Sequence, residues 1–422
     1  MKVLVVPMGS HGDVHPFLGL GEALRERGHH VTFLLIEHFG PLVRSLGFES
    51  IPLGDDALYL EIMRNPDIWH PRRAFSVVAG QLDQGTRKTY ELIERHREPG
   101  RTLVVGSTLA WGARVAGEKL GIPTATVHLQ PASLHTVHDI PEYEGKVLPK
   151  WWPMWMRRGL FDLLHRKIVD PQVAPALNAF RSELGLPPVR FVVRNWMHSP
   201  ELVLGFFPEW FGPKQPDWPA NYQSVGFPLF DEREVTPIEP ELARFLDEGS
   251  APIAFTPGSA NIFGRPFFEA AVEACRLLGR RGLLLTRFPE QVPKDLPDTV
   301  RHVPFAPFSL LLPKTAALVH HGGVGTAAQG MASAVPQLVM PLAHDQFDNV
   351  GRMERLGIAR RLLPKHFKGP AAAKVLGTLI DNPEVLQNCR NVAAKFAEDP
   401  HPMQKACEAL EALAQRSSPA VQ

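Results

Sequence analysis

The chain has 422 residues, too many for one ordinary hydrophobic core, so two domains are expected. With 44% hydrophobic and 21% charged residues it can fill both cores, and a formal net charge of +1 gives no field for a polyanionic partner such as nucleic acid. Cys275, Cys389 and Cys407 are widely spaced and lack any C-x-x-C pattern, which argues against a disulfide framework or a zinc site and fits a reducing compartment.

The first apolar run, Lys2 to Val6, reads as a buried strand. Pro16 to Arg27 carries Leu20 and Leu24 at helical spacing and stops at Gly28, and Val31 to Ile36 reads as the next strand. Leu103 to Gly106, Ala110 to Leu120 and Thr124 to Leu129 continue the alternation of strand, helix and strand. That rhythm predicts a parallel sheet covered by helices on both faces. From Pro131 to Pro188 it breaks into loops and helices rich in aromatic and basic residues, an insertion suited to shaping a pocket. Within it, Trp151, Trp152, Trp155, Arg157 and Arg158 are followed by Leu160, Phe161, Leu163 and Leu164. This stretch either packs on its own domain, lines an apolar pocket or touches an anionic membrane surface. Dense prolines between Phe206 and Pro240 mark the interdomain connection. The rhythm then restarts at Ile253 to Thr256, Gly282 to Thr286, Ala316 to Val319 and Gln337 to Met340, and Ala371 to Gln415 reads as helix. The expected organisation is a first domain over 1–215, a linker over 216–240, a second domain over 241–395 and a helical tail over 396–422 that packs back on the first domain. No run approaches the ~18 apolar residues of a membrane span, so a soluble, cytoplasmic protein is expected, with attachment to the inner face of a membrane left open.

The most informative stretch runs from His320 to Thr326, where a strand enters a glycine-rich turn and an Ala-rich helical stretch follows. Glycines let the backbone approach an anion, and the unpaired N–H groups of the helix start point at it with the positive end of the dipole. Gly323 and Gly325 supply the close approach, and His321 and Thr326 add side-chain donors. Taken singly, the turn is also compatible with a plain strand-to-helix connection and His321 with a satisfied core histidine. Asp345 and Gln346 follow another strand, where they can contact sugar hydroxyls or cap the next helix. Both loops fall at the carboxyl ends of parallel strands, where ligands bind. Near the amino end, the loop from Gly9 to Pro16 presents Asp13 flanked by His11 and His15, three rival proton acceptors; Asp13 as a backbone cap is the competing role. No histidine or carboxylate set has metal-ligand spacing.

With these residues the chain resembles the family 1 nucleotide-sugar glycosyltransferases of the GT-B fold. On that resemblance His321 takes the diphosphate position of the donor signature, Gln329 its ribose position and Asp345 and Gln346 its sugar pair. Phe305 and Ala306 take the place that holds the nucleobase, and Gly258 and Ser259 the second loop at the diphosphate. Val324 and Gln329 stand where the plant signature has tryptophan and glutamate. Asp13 takes the place of the catalytic base, and Ser107 stands where relatives with a histidine base keep an aspartate partner. Gly9 to Val14, Trp196 to Pro200, Phe207 to Phe211, Asp217 to Pro219, Gly226 to Asp231 and His344 to Asn349 are similar to the rhamnosyltransferases of rhamnolipid synthesis. The resemblance implies two doubly wound α/β domains facing across a cleft. It also implies an inverting, metal-independent transfer of a hexose from UDP-glucose or dTDP-rhamnose to a hydrophobic hydroxyl acceptor, with no cofactor beyond that co-substrate. A UDP-glucosyltransferase of aromatic or terpenoid compounds, a nucleotide-sugar epimerase and a non-catalytic nucleotide-sugar binder are the alternatives.

Overall fold

The computed structural model describes residues 1–142, 148–149, 151–398 and 401–417. Two parallel sheets organise them. The first has seven strands in the order β3-β2-β1-β4-β5-β6-β7: Lys2–Val6 (β1), His30–Leu35 (β2), Glu49–Pro52 (β3), Thr102–Ser107 (β4), Thr124–His128 (β5), Leu202–Gly205 (β6) and Tyr222–Ser224 (β7). The second has six in the order β10-β9-β8-β11-β12-β13: Ile253–Thr256 (β8), Gly282–Leu285 (β9), Val300–Val303 (β10), Ala317–His320 (β11), Gln337–Val339 (β12) and Ala359–Arg361 (β13). Every pairing is parallel, and the central strands are buried on both faces, as their unbroken apolar runs require. The strand order reverses between β1 and β4 in one sheet and between β8 and β11 in the other. Ligands bind at such switch points, so the loops after β1, β8 and β11 become the places to search.

The first helix, His11–Glu26, starts five residues before the expected Pro16. Ser10 caps it in a box with Asp13 at the third helical position, and this reciprocal bonding replaces the missing intrahelical partners. Pro16 is thereby placed inside the helix, where it leaves the Gly12 carbonyl without its usual donor.

Two expected boundaries move. Tyr222–Ser224 lies in the stretch read as linker but pairs with β6 as the outer strand of the first sheet; at three residues between prolines its pattern is too short to read. The boundary at 395/396 falls inside the helix Pro383–Glu398. The long helical stretch is in fact three helices, Gly369–Ile380, Pro383–Glu398 and Pro402–Ser417, each with a proline at or next to its start, where the missing N–H costs nothing. The last of them crosses to the first domain. Ala406, Cys407, Leu410 and Leu413 enter the same core as Val14, Leu18 and Leu24, and Glu411 accepts two bonds from Arg27 (2.8 and 2.7 Å) and stands 2.8 Å from His29 Nε2.

On the opposite side the domains are joined by charge. Arg352, 4% exposed, donates to Asp348 of its own helix (2.7 Å), to the Phe211 carbonyl (3.1 Å) and to Asp139 of the first domain (3.0 Å). Beside it Glu142 accepts from Arg361.

The docking of the last helix gives a prediction. Leu410→Ala removes a fully buried side chain and should destabilise the protein by about 2–5 kcal/mol, whereas Glu411→Ala, whose ion pair is partly exposed, should cost no more than about 1 kcal/mol. Urea unfolding followed by circular dichroism ranks the two, and an unmoved midpoint for Leu410→Ala would mean that the helix is not docked.

Candidate active site

A cavity of about 390 Å³ lies between the domains, bounded by the loops after β1, β8, β9, β11 and β12. All fourteen residues singled out in the sequence line it: His11, Asp13 and His15 from one side, and Gly258, Ser259, Phe305, Ala306, His321, Gly323, Gly325, Thr326, Gln329, Asp345 and Gln346 from the other. The helices His11–Glu26 and Val324–Ala332 both begin here. A Cβ placed on Gly325 would stand 3.8 Å from the Gly12 carbonyl oxygen, so the two helix starts nearly touch.

His321 is fixed by absence of bulk around it. A Cβ on Gly258 would meet its ring at 2.8 Å and one on Gly323 would meet Nε2 at 2.6 Å, so two glycines close on the imidazole. Gly258 is also held at φ +98°, a conformation that disfavours any other residue. Burial lowers the His321 pKa to about 4, with His344 adding a smaller push. The ring is therefore neutral at pH 7, and its Nδ1 is a buried polar atom with no partner among the described residues. A buried, unpaired nitrogen beside free helix-start amides is a site waiting for a polar ligand. Its neighbour His320 is different: Gly322 N–H donates to its Nδ1 at 3.1 Å and its Nε2 lies 2.8 Å from Gln337 Oε1, so it is a satisfied core histidine.

Asp13 is reached from the cleft but enclosed by protein. Its Oδ2 accepts from the Ser10 N–H (2.7 Å) and the Ser10 hydroxyl (3.1 Å). Burial raises its pKa to about 6, the Ser10 N–H opposes that, and Asp345 adds repulsion. Gly9, at φ +132°, makes room for the carboxylate, because a Cβ there would lie 2.2 Å from Oδ2. Of the two flanking histidines His11 is committed: Arg287 Nη1 donates to its Nε2 at 2.6 Å, while burial and that cation hold the ring neutral. His15 Nε2 lies 2.9 Å from Glu232 Oε1, but neither atom makes a hydrogen bond among the described residues. Ser107 does not touch Asp13; its hydroxyl accepts from the Met8 N–H at 3.1 Å.

Asp345 accepts from Asn349 Nδ2 at 2.6 Å, and burial likewise raises its pKa to about 6. Gln346 Oε1 accepts from the Leu342 and Ala343 N–H groups (2.7 and 3.1 Å), so its oxygen shapes the loop and only its amide nitrogen is left to face a ligand. Gln329 is buried and lines the cavity. Phe305 carries the Arg287 guanidinium over its ring at 4.6 Å.

Several lining residues escaped the sequence reading. Arg287, just after β9, contacts both His11 and Phe305. His344 adopts φ +59° and stands edge-on to Trp69 at 6.1 Å, joining the loop after β12 in one domain to the apolar wall of the other. Met63, Ile68, Trp69, Val78 and Leu109 form that wall. The signal for Arg287 was available, as a basic residue at the end of a strand already recognised; an amphipathic helix gives no such signal for its cavity face. Among the described residues no three His, Cys, Asp or Glu side chains are grouped to hold a metal ion.

Comparison with known proteins fits this geometry. The chain is 30% identical over 431 residues to O-mycaminosyltylonolide 6-deoxyallosyltransferase of Streptomyces fradiae, covering 98% of each sequence. It belongs to the family 1 GT-B glycosyltransferases. Residues 286–413 of this glycosyltransferase match the model of the erythromycin biosynthesis protein CIII-like C-terminal domain. Its fold is shared with the glycotransferase of kitacinnamycin (TM-score 0.74, 21% identity, 99% of both chains). It is shared as well with the spinosyn rhamnosyltransferase solved with thymidine diphosphate (TM-score 0.69, 19% identity, 96% of this chain and 99% of that one). The glycosyltransferase is thus of the natural-product, nucleotide-sugar type.

The glycine clamp is testable. Gly258→Ala should weaken binding of a nucleoside diphosphate by roughly tenfold, about 1.4 kcal/mol, because the new methyl displaces His321. Gly28→Ala imposes a similar backbone strain (φ +82°) with nothing within 4 Å and should leave binding unchanged. Titration calorimetry of both variants with thymidine diphosphate reads the difference; equal affinities would remove His321 from the diphosphate site.

Proposed function

We propose that the protein is an inverting glycosyltransferase that moves a deoxyhexose from a thymidine-diphosphate sugar to a hydroxyl of a hydrophobic acceptor by single displacement. The observation that carries this is the placement of Asp13 on one helix start, directly opposite the His321 clamp and the second helix start. A carboxylate on one wall and anion-binding donors on the other are what an in-line displacement needs on either side of an anomeric carbon. Asp13 takes the acceptor proton as the hydroxyl oxygen bonds to the anomeric carbon, and the bond to the diphosphate breaks on the far side. The amides of Gly323, Gly325 and Thr326, with Ser259 and neutral His321, hold the negative charge that develops on the leaving group. Asp345 and the Gln346 amide nitrogen bind sugar hydroxyls. Phe305 and Ala306 hold the base, under the guanidinium of Arg287.

Two features support thymidine over uridine. Gln329 offers a neutral side chain at the ribose position, where a carboxylate would favour a 2′-hydroxyl. The spinosyn rhamnosyltransferase, which shares the fold, is a structure with thymidine diphosphate. Met63, Ile68, Trp69, Val78 and Leu109 on the Asp13 side form the apolar wall for the acceptor, which suits a lipid hydroxy acid or a macrocyclic aglycone.

Base catalysis by Asp13 sets the pH dependence. Its folded-state pKa lies above the ordinary carboxylate value, so the ionised, active form is lost as pH falls through about 6. A plot of log kcat/KM against pH should fall with at least unit slope below that value, and Asp13→Asn should lower kcat by about 10³-fold with donor binding kept. The same raised pKa means that the stability Asp13 contributes when protonated is lost as pH rises through about 6. The thermal midpoint of the wild type should therefore drop relative to Asp13→Asn between pH 4 and pH 7. Turnover by Asp13→Asn within tenfold of wild type would exclude this base.

Donor choice is read separately. Thymidine diphosphate should raise Tm more than uridine diphosphate at equal concentration, and the reverse order would move the assignment to a UDP-sugar.

A further inference from the structure

Among the described residues, five of the ten large hydrophobic side chains that stand open to solvent fall within eighteen residues: Trp151 (81% exposed), Trp155 (74%), Leu163 (53%), Leu164 (37%) and Ile168 (54%). They lie outside the cleft, Trp151 in the turn just before, and the others on, a continuous helical rod formed by the helix Met154–Leu164, a π turn over His165–Val169 and the helix Asp170–Glu183. The rod is rigid on its inner side. Val173, Leu177 and Phe180 enter the first domain's core, Asp162 pairs with Arg194, and Asp170 accepts from the N–H groups of Phe191 and Val192 (2.7 and 3.0 Å). Arg157 ties it to the Val137 carbonyl at 3.1 Å. Its outer side is bare. Trp155, Gly159 and Leu163 follow one another on the helix at i, i+4 spacing, Trp151 precedes them in the entering turn, and a Cβ on Gly159 would meet nothing within 4 Å.

Charge distinguishes this face from an ordinary protein-docking patch. Arg158, Arg166 and Lys167 are exposed along the same ladder, and Arg158 and Lys167 make no ion pair among the described residues. The acid within the stretch, Asp162, is already neutralised by Arg194. Indole rings and aliphatic tips protruding from a convex rod, with long cationic side chains between them, match the boundary of a bilayer. There tryptophan occupies the headgroup level and lysine and arginine meet anionic phosphates.

We propose that this rod seats the protein on an anionic lipid surface, with Trp151, Trp155 and Leu163 entering the interface and Arg158, Arg166 and Lys167 meeting the headgroups. Among the described residues no helix is long and apolar enough to cross a membrane, so attachment is peripheral and reversible. The inference stands apart from donor, acceptor and base, because seating on lipid requires no turnover.

The test is co-sedimentation of the full chain with vesicles of equal parts phosphatidylglycerol and phosphatidylcholine, against phosphatidylcholine alone. The expected result is binding to the anionic vesicles, release by salt and a blue shift of tryptophan fluorescence. Trp151→Ala/Trp155→Ala should lower the partition coefficient roughly tenfold or more, and Arg158→Glu/Lys167→Glu should abolish the preference for anionic lipid. Both variants alter only exposed side chains, so circular dichroism and nucleotide binding should match wild type. Absence of binding to anionic vesicles, or equal binding by the double tryptophan variant, would overturn the proposal. So would a solution dimer that dissociates in that variant, since a second copy would then cover the face.

Discussion

Two helix starts of like polarity meet at the centre of this molecule, and the rest of the site is a response to that constraint. The positive ends of His11–Glu26 and Val324–Ala332 face each other with only glycine backbone between them, at Gly12 and Gly325. Such an arrangement repels unless negative charge lies nearby. Asp13 and Asp345 supply some of it, but they are enclosed and repel each other, and both resist ionisation up to about pH 6. His11, His321 and His344 add no further positive charge, because burial keeps them neutral. What remains is a field that favours an anion on the side of the second domain and an ionised carboxylate on the other. A diphosphate would satisfy the first requirement, and because its charge opposes ionisation of Asp13 the two must stay apart; Ser10 holds Asp13 at its own helix start.

Much of this was legible because the βαβ rhythm is written in buried, unbroken apolar runs. Lys2–Val6 and Ile253–Thr256 were readable to the residue, and each delivers the chain to a switch point. The glycines were readable for the same reason, since a turn from a central strand into a helix leaves few other choices. Strands at sheet edges were not. Glu49–Pro52, Val300–Val303 and Ala359–Arg361 are three or four residues long and carry charge or proline, because one side of an edge strand faces solvent. The start of the first helix was misread because Pro16 looks like a first-turn proline, whereas the capping box at Ser10 places it a full turn later.

The apolar wall of the cavity was illegible for a deeper reason. Met63, Ile68, Trp69 and Val78 sit on segments whose apolar spacing is that of any half-buried helix, and nothing in one sequence separates a side chain facing a core from one facing a cavity. His344 shows the complementary failure. Its role follows from φ +59°, which turns the imidazole toward Trp69 across the cleft, and a backbone angle at a non-glycine residue leaves no trace in composition or period.

The two joints between the domains explain why such a narrow site can persist. Arg352 is almost fully enclosed, and a cation in that position is tolerable only while Asp348, Asp139 and the Phe211 carbonyl all remain in place. Losing Asp139 by separation of the domains would leave the guanidinium underpaired in a buried setting. On the other side the helix Pro402–Ser417 places Ala406, Cys407, Leu410 and Leu413 in the core of the first domain, an apolar joint flanked by the partly exposed Glu411–Arg27 pair. One joint resists separation by charge and the other by hydrophobic contact.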